Sequence, residues 1–186
     1  KLKSKKINTF YKKYNNFDIG KLQNHFRKIY YNTTKTKWII KHNDTKEDVL
    51  LSNLKNLKTM FSKGPVTPDH VIRIKSKWLF SKSLSTNNKE SWLNSFSKSL
   101  KKYKKDYTNY FNKNNKNELT MLDTFPRLIF IENIGLYVLG FNEKEIKINT
   151  DLARANISTQ LLGINSGGLK PLNERKIFEM EYWSLE

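Results

Sequence analysis

Arg127-Leu128-Ile129-Phe130-Ile131, Glu132-Asn133-Ile134-Gly135 and Leu136-Tyr137-Val138-Leu139-Gly140 form one continuous stretch, and it decides the fold. Two short runs rich in β-branched and aromatic residues flank a brief connection that ends in glycine. Such residues favour pleated backbone, and so short a link joins only antiparallel neighbours. The stretch reads as a strand, a turn and a second strand.

Downstream, Asn142 and Glu145 have the spacing of a capping box. Ile146, Thr150, Ala153, Ile157 and Leu161 then make one helical face, which Gly163 closes. Ile164–Lys170 is a loop, and Pro171–Glu186 a last helix with Asn173 as N-cap. Ile177, Met180 or Glu181, and Leu185 lie along one of its sides. Upstream, Trp92, Phe96, Leu100, Tyr103, Tyr107 and Phe111 recur at intervals of 4, 4, 3, 4 and 4, a long amphipathic helix. Its opposite face carries Lys98, Lys101, Lys102 and Lys105. Asn112–Asn117 is a polar loop after it, and Trp78-Leu79-Phe80 is an apolar run before it.

Lys37-Trp38-Ile39-Ile40-Lys41 reads as a short buried strand and His42-Asn43-Asp44 as a turn. Thr45 and Asp48 cap a helix over Lys46–Asn53, and Leu54–Phe61 adds a helical turn. Lys1 to about Tyr31 reads as two helices. Ile7, Phe10, Tyr11 and Tyr14 stripe the first; Leu22, His25, Phe26 and Ile29 stripe the second, with Asp18 as its N-cap. The expectation is an α/β chain: a central sheet of about four or five strands with helices against it. Residues 1–36 form a helical N-terminal segment and residues 37–186 the α/β domain.

The most polar motif is Gly64-Pro65-Val66-Thr67-Pro68-Asp69-His70-Val71-Ile72-Arg73-Ile74-Lys75. Read as extended from Asp69 onward, it puts His70, Ile72 and Ile74 on one face and Asp69, Val71, Arg73 and Lys75 on the other. His70 and Asp69 are the catalytic candidates. Thr67, Arg73 and Lys75 are candidates for holding a phosphate or carboxylate of the substrate. A lone histidine after a turn is more often a structural hydrogen-bonder, and an Arg/Lys pair on a strand is more often a solvated edge.

A chain of 186 residues suffices for one domain with a real core. Zero cysteines exclude a disulfide scaffold and any thiolate metal site, and fit a reducing, cytoplasmic compartment. No apolar run has the length of a membrane span, and the N-terminus lacks the apolar centre of a signal peptide. The first residue is lysine, so the chain is expected to be a piece of something longer. The net charge is +18, but residues 118–186 hold 7 Lys/Arg against 10 Asp/Glu, while residues 1–117 hold 28 against 7. A basic nucleic-acid-binding or ribosome-associated protein is the alternative function, with Tyr103, Tyr107 and Tyr110 interleaved among lysines as its best support. The excess is almost wholly lysine among many asparagines, and arginine is rare. That favours solvated faces, and nucleic acid is not expected as a partner.

The string GPVTPDHVIRIK resembles a segment of the bifunctional rhamnulose-1-phosphate aldolase/alcohol dehydrogenases, in which a class II aldolase/adducin-type portion precedes a short-chain dehydrogenase. Thr120-Met121-Leu122-Asp123 with Pro126-Arg127, Gly135-Leu136-Tyr137 with Gly140, and Glu181-Tyr182-Trp183-Ser184-Leu185-Glu186 match in the same order. The likeness runs from about Lys37 to the end; Ile74 stands where that family has threonine. The hairpin, long helix, Gly-Gly loop and final helix also resemble the closing portion of a class II aldolase/adducin module.

The resemblance implies that the intact protein acts on a sugar phosphate in deoxy-sugar breakdown. Its aldolase would cleave a ketose phosphate, and its dehydrogenase would oxidise the aldehyde. Zinc and NAD would belong to that intact protein, a homo-oligomer without membrane attachment. In active aldolases of this kind an Asn-His-Gly turn supplies a zinc ligand, where this chain has Asn133-Ile134-Gly135. The other ligands form a His-x-His pair, whereas His25, His42 and His70 are 17 and 28 residues apart. Gly163, Gly167 and Gly168 lie between two helices, not in the strand-turn-helix of a dinucleotide site. No metal site and no cofactor are expected within this chain, and no complete active site.

Overall fold

Two strands, β3 (Leu128–Ile131) and β4 (Gly135–Gly140), make the antiparallel hairpin that the sequence predicts, with Phe130 opposite Leu136. The computed structural model describes residues 19–54, 57–62, 64–82, 89–116, 119–168, 170 and 172–183. Every residue of both strands is buried. Leu128, Phe130, Leu136 and Val138 face one side, and Ile129, Ile131, Tyr137 and Leu139 the other. Continuous apolar runs are what a sheet covered on both faces requires.

Two more strands complete a four-stranded sheet in the order β1-β4-β3-β2. β1 (Ile39–Asn43) pairs antiparallel with β4, and β2 (Leu79–Ser81) pairs parallel with β3. His42 and Asn43, expected in a turn, continue β1, because β4 offers partners as far as Leu136. The helices on the two faces are α1 (Ile19–Thr34), α2 (Lys46–Ser52), α3 (Leu57–Phe61), α4 (Pro68–Ile74), α5 (Lys89–Asn114), α6 (Glu143–Asn165) and α7 (Glu174–Glu181). On one face α1 supplies Leu22, Phe26 and Tyr30, and α5 supplies Trp92, Phe96, Leu100 and Tyr103. On the other, Leu51, Phe61, Ile74, Ile146, Ala153 and Ile157 come from α2, α3, α4 and α6. This is the α/β architecture that the sequence predicts, a central sheet with helices against both of its faces.

The local signals act as their chemistry dictates. Thr45 accepts the Asp48 amide, Asn142 the Glu145 amide at 2.9 Å and Asn173 the Lys176 amide at 2.8 Å. Glu145 completes a box of sorts, accepting the Phe141 amide at 2.9 Å. Asn142→Ala should therefore lower stability by about 1 kcal/mol, read from the urea midpoint at unchanged slope. Helix α6 runs past Gly163 to Asn165, and Gly167, at φ +102°, is the residue that turns the chain. The first predicted helix, its stripe of Ile7, Phe10, Tyr11 and Tyr14, the Asp18 cap and Leu185 lie outside the described residues. Among the described residues no helix is long and apolar enough to cross a membrane.

Candidate functional site

The Gly64–Lys75 motif is not a strand. Pro68–Ile74 is α4, with Thr67 as an extended N-cap and proline at its start. Proline's fixed φ suits the first helical turn, where its missing N–H removes no bond. Burial then follows a period near three, not two: Val71 and Ile74 are inside, while Ile72 is half exposed. The loop ahead of it is tied to α6, whose Asn156 accepts the Val66 amide at 2.9 Å and whose Gln160 donates to the Gly64 carbonyl at 3.0 Å.

The helix separates the residues that the extended reading brought together. Thr67 and Arg73 are exposed and His70 is half-buried. The Asp69 side chain lies outside the described residues. Lys75, the helix C-cap at φ +61°, is buried. Arg73 and Lys75 therefore do not share a face.

Lys75 enters a cluster in which most other members are contributed by α5 and α7. Its ammonium lies 3.8 Å from Glu181 Oε1 and 4.1 Å above the Tyr107 ring. Tyr107 donates to Glu181 Oε1 at 2.8 Å and Tyr110 to Oε2 at 3.0 Å. The Tyr107 and Tyr182 hydroxyls are 2.8 Å apart, and the Leu122 amide donates to Tyr182 at 3.3 Å. Since Tyr107 gives its only proton to Glu181, Tyr182 must be the donor of that pair. A single-file relay results, from the Leu122 amide through two phenols to a buried carboxylate.

Electrostatics in the cluster are set first by burial. Loss of water pushes the Lys75 ammonium down to about 8, against the pull of Asp123 and Glu181. It pushes the Glu181 carboxyl up, although Lys75 and the two tyrosines favour its charged form. Burial and then Glu181 raise the Tyr107 and Tyr110 phenols, which stay protonated donors. Next to the cluster, Arg127 donates to both oxygens of Asp123 and stacks 4.7 Å from the Trp38 ring. Burial opposes ionisation of Asp123, but Arg127 outweighs it and holds the carboxyl below its usual range.

The hairpin turn is where the resemblance to class II aldolases places a zinc-binding histidine. Ile134 sits there, 5 % exposed, in the same core as Trp92, Phe96 and Tyr137. His42 lies alongside, its Nε2 2.9 Å from the Ile134 carbonyl oxygen and its ring stacked 4.5 Å from Tyr137. Among the described residues no group of three His, Cys, Asp or Glu side chains could hold a metal. These residues do not fit zinc.

The tyrosines offered for base stacking are spoken for as well: Tyr103, Tyr107 and Tyr110 are all buried. A nucleic-acid face on that ladder has no support. Sequence reasoning put Glu181 on the last helix without giving it a role, and Tyr107 on a core stripe. The available signal was a carboxylate at a core-facing position, two turns from the asparagine cap.

Sheet order, flanking helices and the closing hairpin-helix-helix define a domain of class II aldolase type. The family model for aldolase class II, second domain, matches residues 20–186, and the chain belongs to that family. It is 22% identical over 151 residues to YuxG of Bacillus subtilis (strain 168), described as an uncharacterized oxidoreductase. That match takes in 81% of this chain and 22% of YuxG, so the chain spans about a fifth of its curated relative. The crystal structure of YgbL from Escherichia coli, a candidate aldolase/epimerase/decarboxylase, superposes with a TM-score of 0.53 at 15% identity. The superposition covers 82% of this chain and 61% of YgbL, and it is a likeness of fold.

Proposed function

We propose that this chain is the second aldolase domain of a sugar-phosphate aldolase joined to a short-chain dehydrogenase, acting in deoxy-sugar breakdown of the rhamnulose 1-phosphate kind. The observation that carries this is the buried Ile134 at the hairpin turn of a class II aldolase fold. A domain that keeps the scaffold and fills the ligand position with core is suited to packing and positioning, with the chemistry done elsewhere. Zinc and NAD would then be held by other parts of a cytoplasmic homo-oligomer. The likeness to a relative named as an oxidoreductase agrees with a dehydrogenase partner domain.

Within this domain, the exposed Arg73 in the last turn of α4 would contact the substrate's phosphate, while Thr67, the N-cap at the opposite end, and His70 between them would meet other parts of the substrate. Lys75 would act from within, holding the end of α4 against α7 through Glu181. Two measurements test the proposal. The 186-residue chain, supplied with zinc, NAD and rhamnulose 1-phosphate, should neither cleave the sugar nor reduce the cofactor; turnover sinks it. In the intact protein, Arg73→Ala should raise KM for the phosphate substrate about threefold to tenfold at little change in kcat, as loss of a charge-assisted contact does. An unchanged KM removes the phosphate contact.

A further inference from the structure

On the other side of the tyrosine cluster, a cavity of about 210 Å³ opens between α3, the Ser76–Phe80 segment and α5. Its lining is aromatic. Trp78, Tyr103, Tyr107 and Tyr110 are buried and Phe80 half-buried around it. Three of these rings have no hydroxyl proton left to donate. Tyr103 donates to the Lys77 carbonyl at 2.9 Å, while Tyr107 and Tyr110 donate to Glu181. They present carbon surface to whatever enters.

The rim has the opposite character. Lys58, Lys77 and Lys102 line it against one carboxylate, Asp106, and Lys102 holds that carboxylate at 2.8 Å. Among the described residues neither Lys58 nor Lys77 has an ion-pair partner. Glu174 feels Lys77, but its own salt bridge is with Lys113 at 2.9 Å. Two uncommitted ammonium groups over an aromatic-walled cavity select for negative charge attached to an apolar body. The volume is below the roughly 300–1,000 Å³ of drug-sized pockets, so that body is about one small ring or branched chain.

We propose that this cavity binds a small organic anion, a carboxylate or a phosphate monoester, with its apolar body against Trp78 and Tyr103 and its charge between Lys58 and Lys77. The site is separate from α4 and does not depend on the aldolase-domain proposal. Isothermal calorimetry on the 186-residue chain tests it with benzoate, phenyl phosphate, inorganic phosphate and benzyl alcohol as probes.

The expected result is saturable binding of benzoate or phenyl phosphate, whichever is tighter naming the head group. Inorganic phosphate and the neutral alcohol should each bind at least tenfold more weakly. The double variant Lys58→Ala/Lys77→Ala, at exposed positions, should weaken binding about fivefold or more. Ser99→Trp, at a half-exposed lining position on α5, should fill the cavity and abolish binding. If neither organic anion saturates by on the order of 10 mM, if benzyl alcohol binds equally well, or if both variants bind like the parent, the proposal is overturned.

Discussion

Glu181→Gln is expected to destabilise the fold by about 3–5 kcal/mol, because it removes the carboxylate paired with the buried Lys75 ammonium. Lys75→Met combined with Glu181→Gln should recover most of that loss. With both charges gone neither member of the pair is left behind unpaired, and the glutamine carbonyl still accepts from a tyrosine hydroxyl. The deficit of the single variant should also depend on pH. Lys75 in the folded chain already has a pKa lowered to about 8, below its unfolded value of 10.5. Removing Glu181, one of the groups that raise it, lowers it further.

Where the folded pKa of a lysine lies below the unfolded one, the unfolded chain binds more protons in between, so stability rises with pH. The variant enters that rise at lower pH than the parent. Its deficit should therefore be largest near pH 6 and shrink as pH climbs through about 8. Urea titrations of both proteins from pH 6 to 9 measure it. A deficit that stayed flat, or grew with pH, would mean that Lys75 is not held as a charged partner of Glu181.

Gly135→Ala is the second large effect, and its origin is purely steric. Gly135 stands at φ +116°, a conformation that residues with a side chain rarely adopt. A Cβ built there would lie 2.6 Å from the Asn43 carbonyl oxygen, inside the β1–β4 ladder. Backbone strain of about 1–3 kcal/mol and overpacking of similar size put the loss at roughly 2–6 kcal/mol. For a domain of this length that lowers Tm by about 4–24 °C, or 2–4 °C per kcal/mol. Hydrogen exchange should locate the damage at Ile39–Asn43 and the turn and spare α7. A variant as stable as the parent would mean that the hairpin and β1 approach each other differently.

What the sequence made legible is what local chemistry writes. The stripe from Trp92 to Phe111 became α5 because six apolar side chains at helical spacing have one way to be buried together. The hairpin and the asparagine caps were legible for the same reason: each is settled within a few residues. The motif at Gly64–Lys75 was misread because Val71, Ile72 and Ile74 favour strands, and that preference lost to proline at the helix start and to packing against α6 and α7. Glu181 could not be assigned at all. Its partners Tyr107 and Tyr110 lie 74 and 71 residues away, and only the fold brings them to it. Ile134 was recognised as a departure from a zinc-binding turn, yet its replacement role, a core contact beside Phe96 and Tyr137, needed the sheet and α5 together.

The pairing of β1 with β4 has a consequence for synthesis. Ile39 meets Gly140, and Asn43 meets Leu136, so the first strand leaves the ribosome about a hundred residues ahead of its neighbour. At roughly 5–20 residues per second it waits several seconds with an unpaired edge. The lysine-dense residues 1–117, 28 basic against 7 acidic, then act as a solubilising sleeve for a nascent chain that cannot close its sheet early.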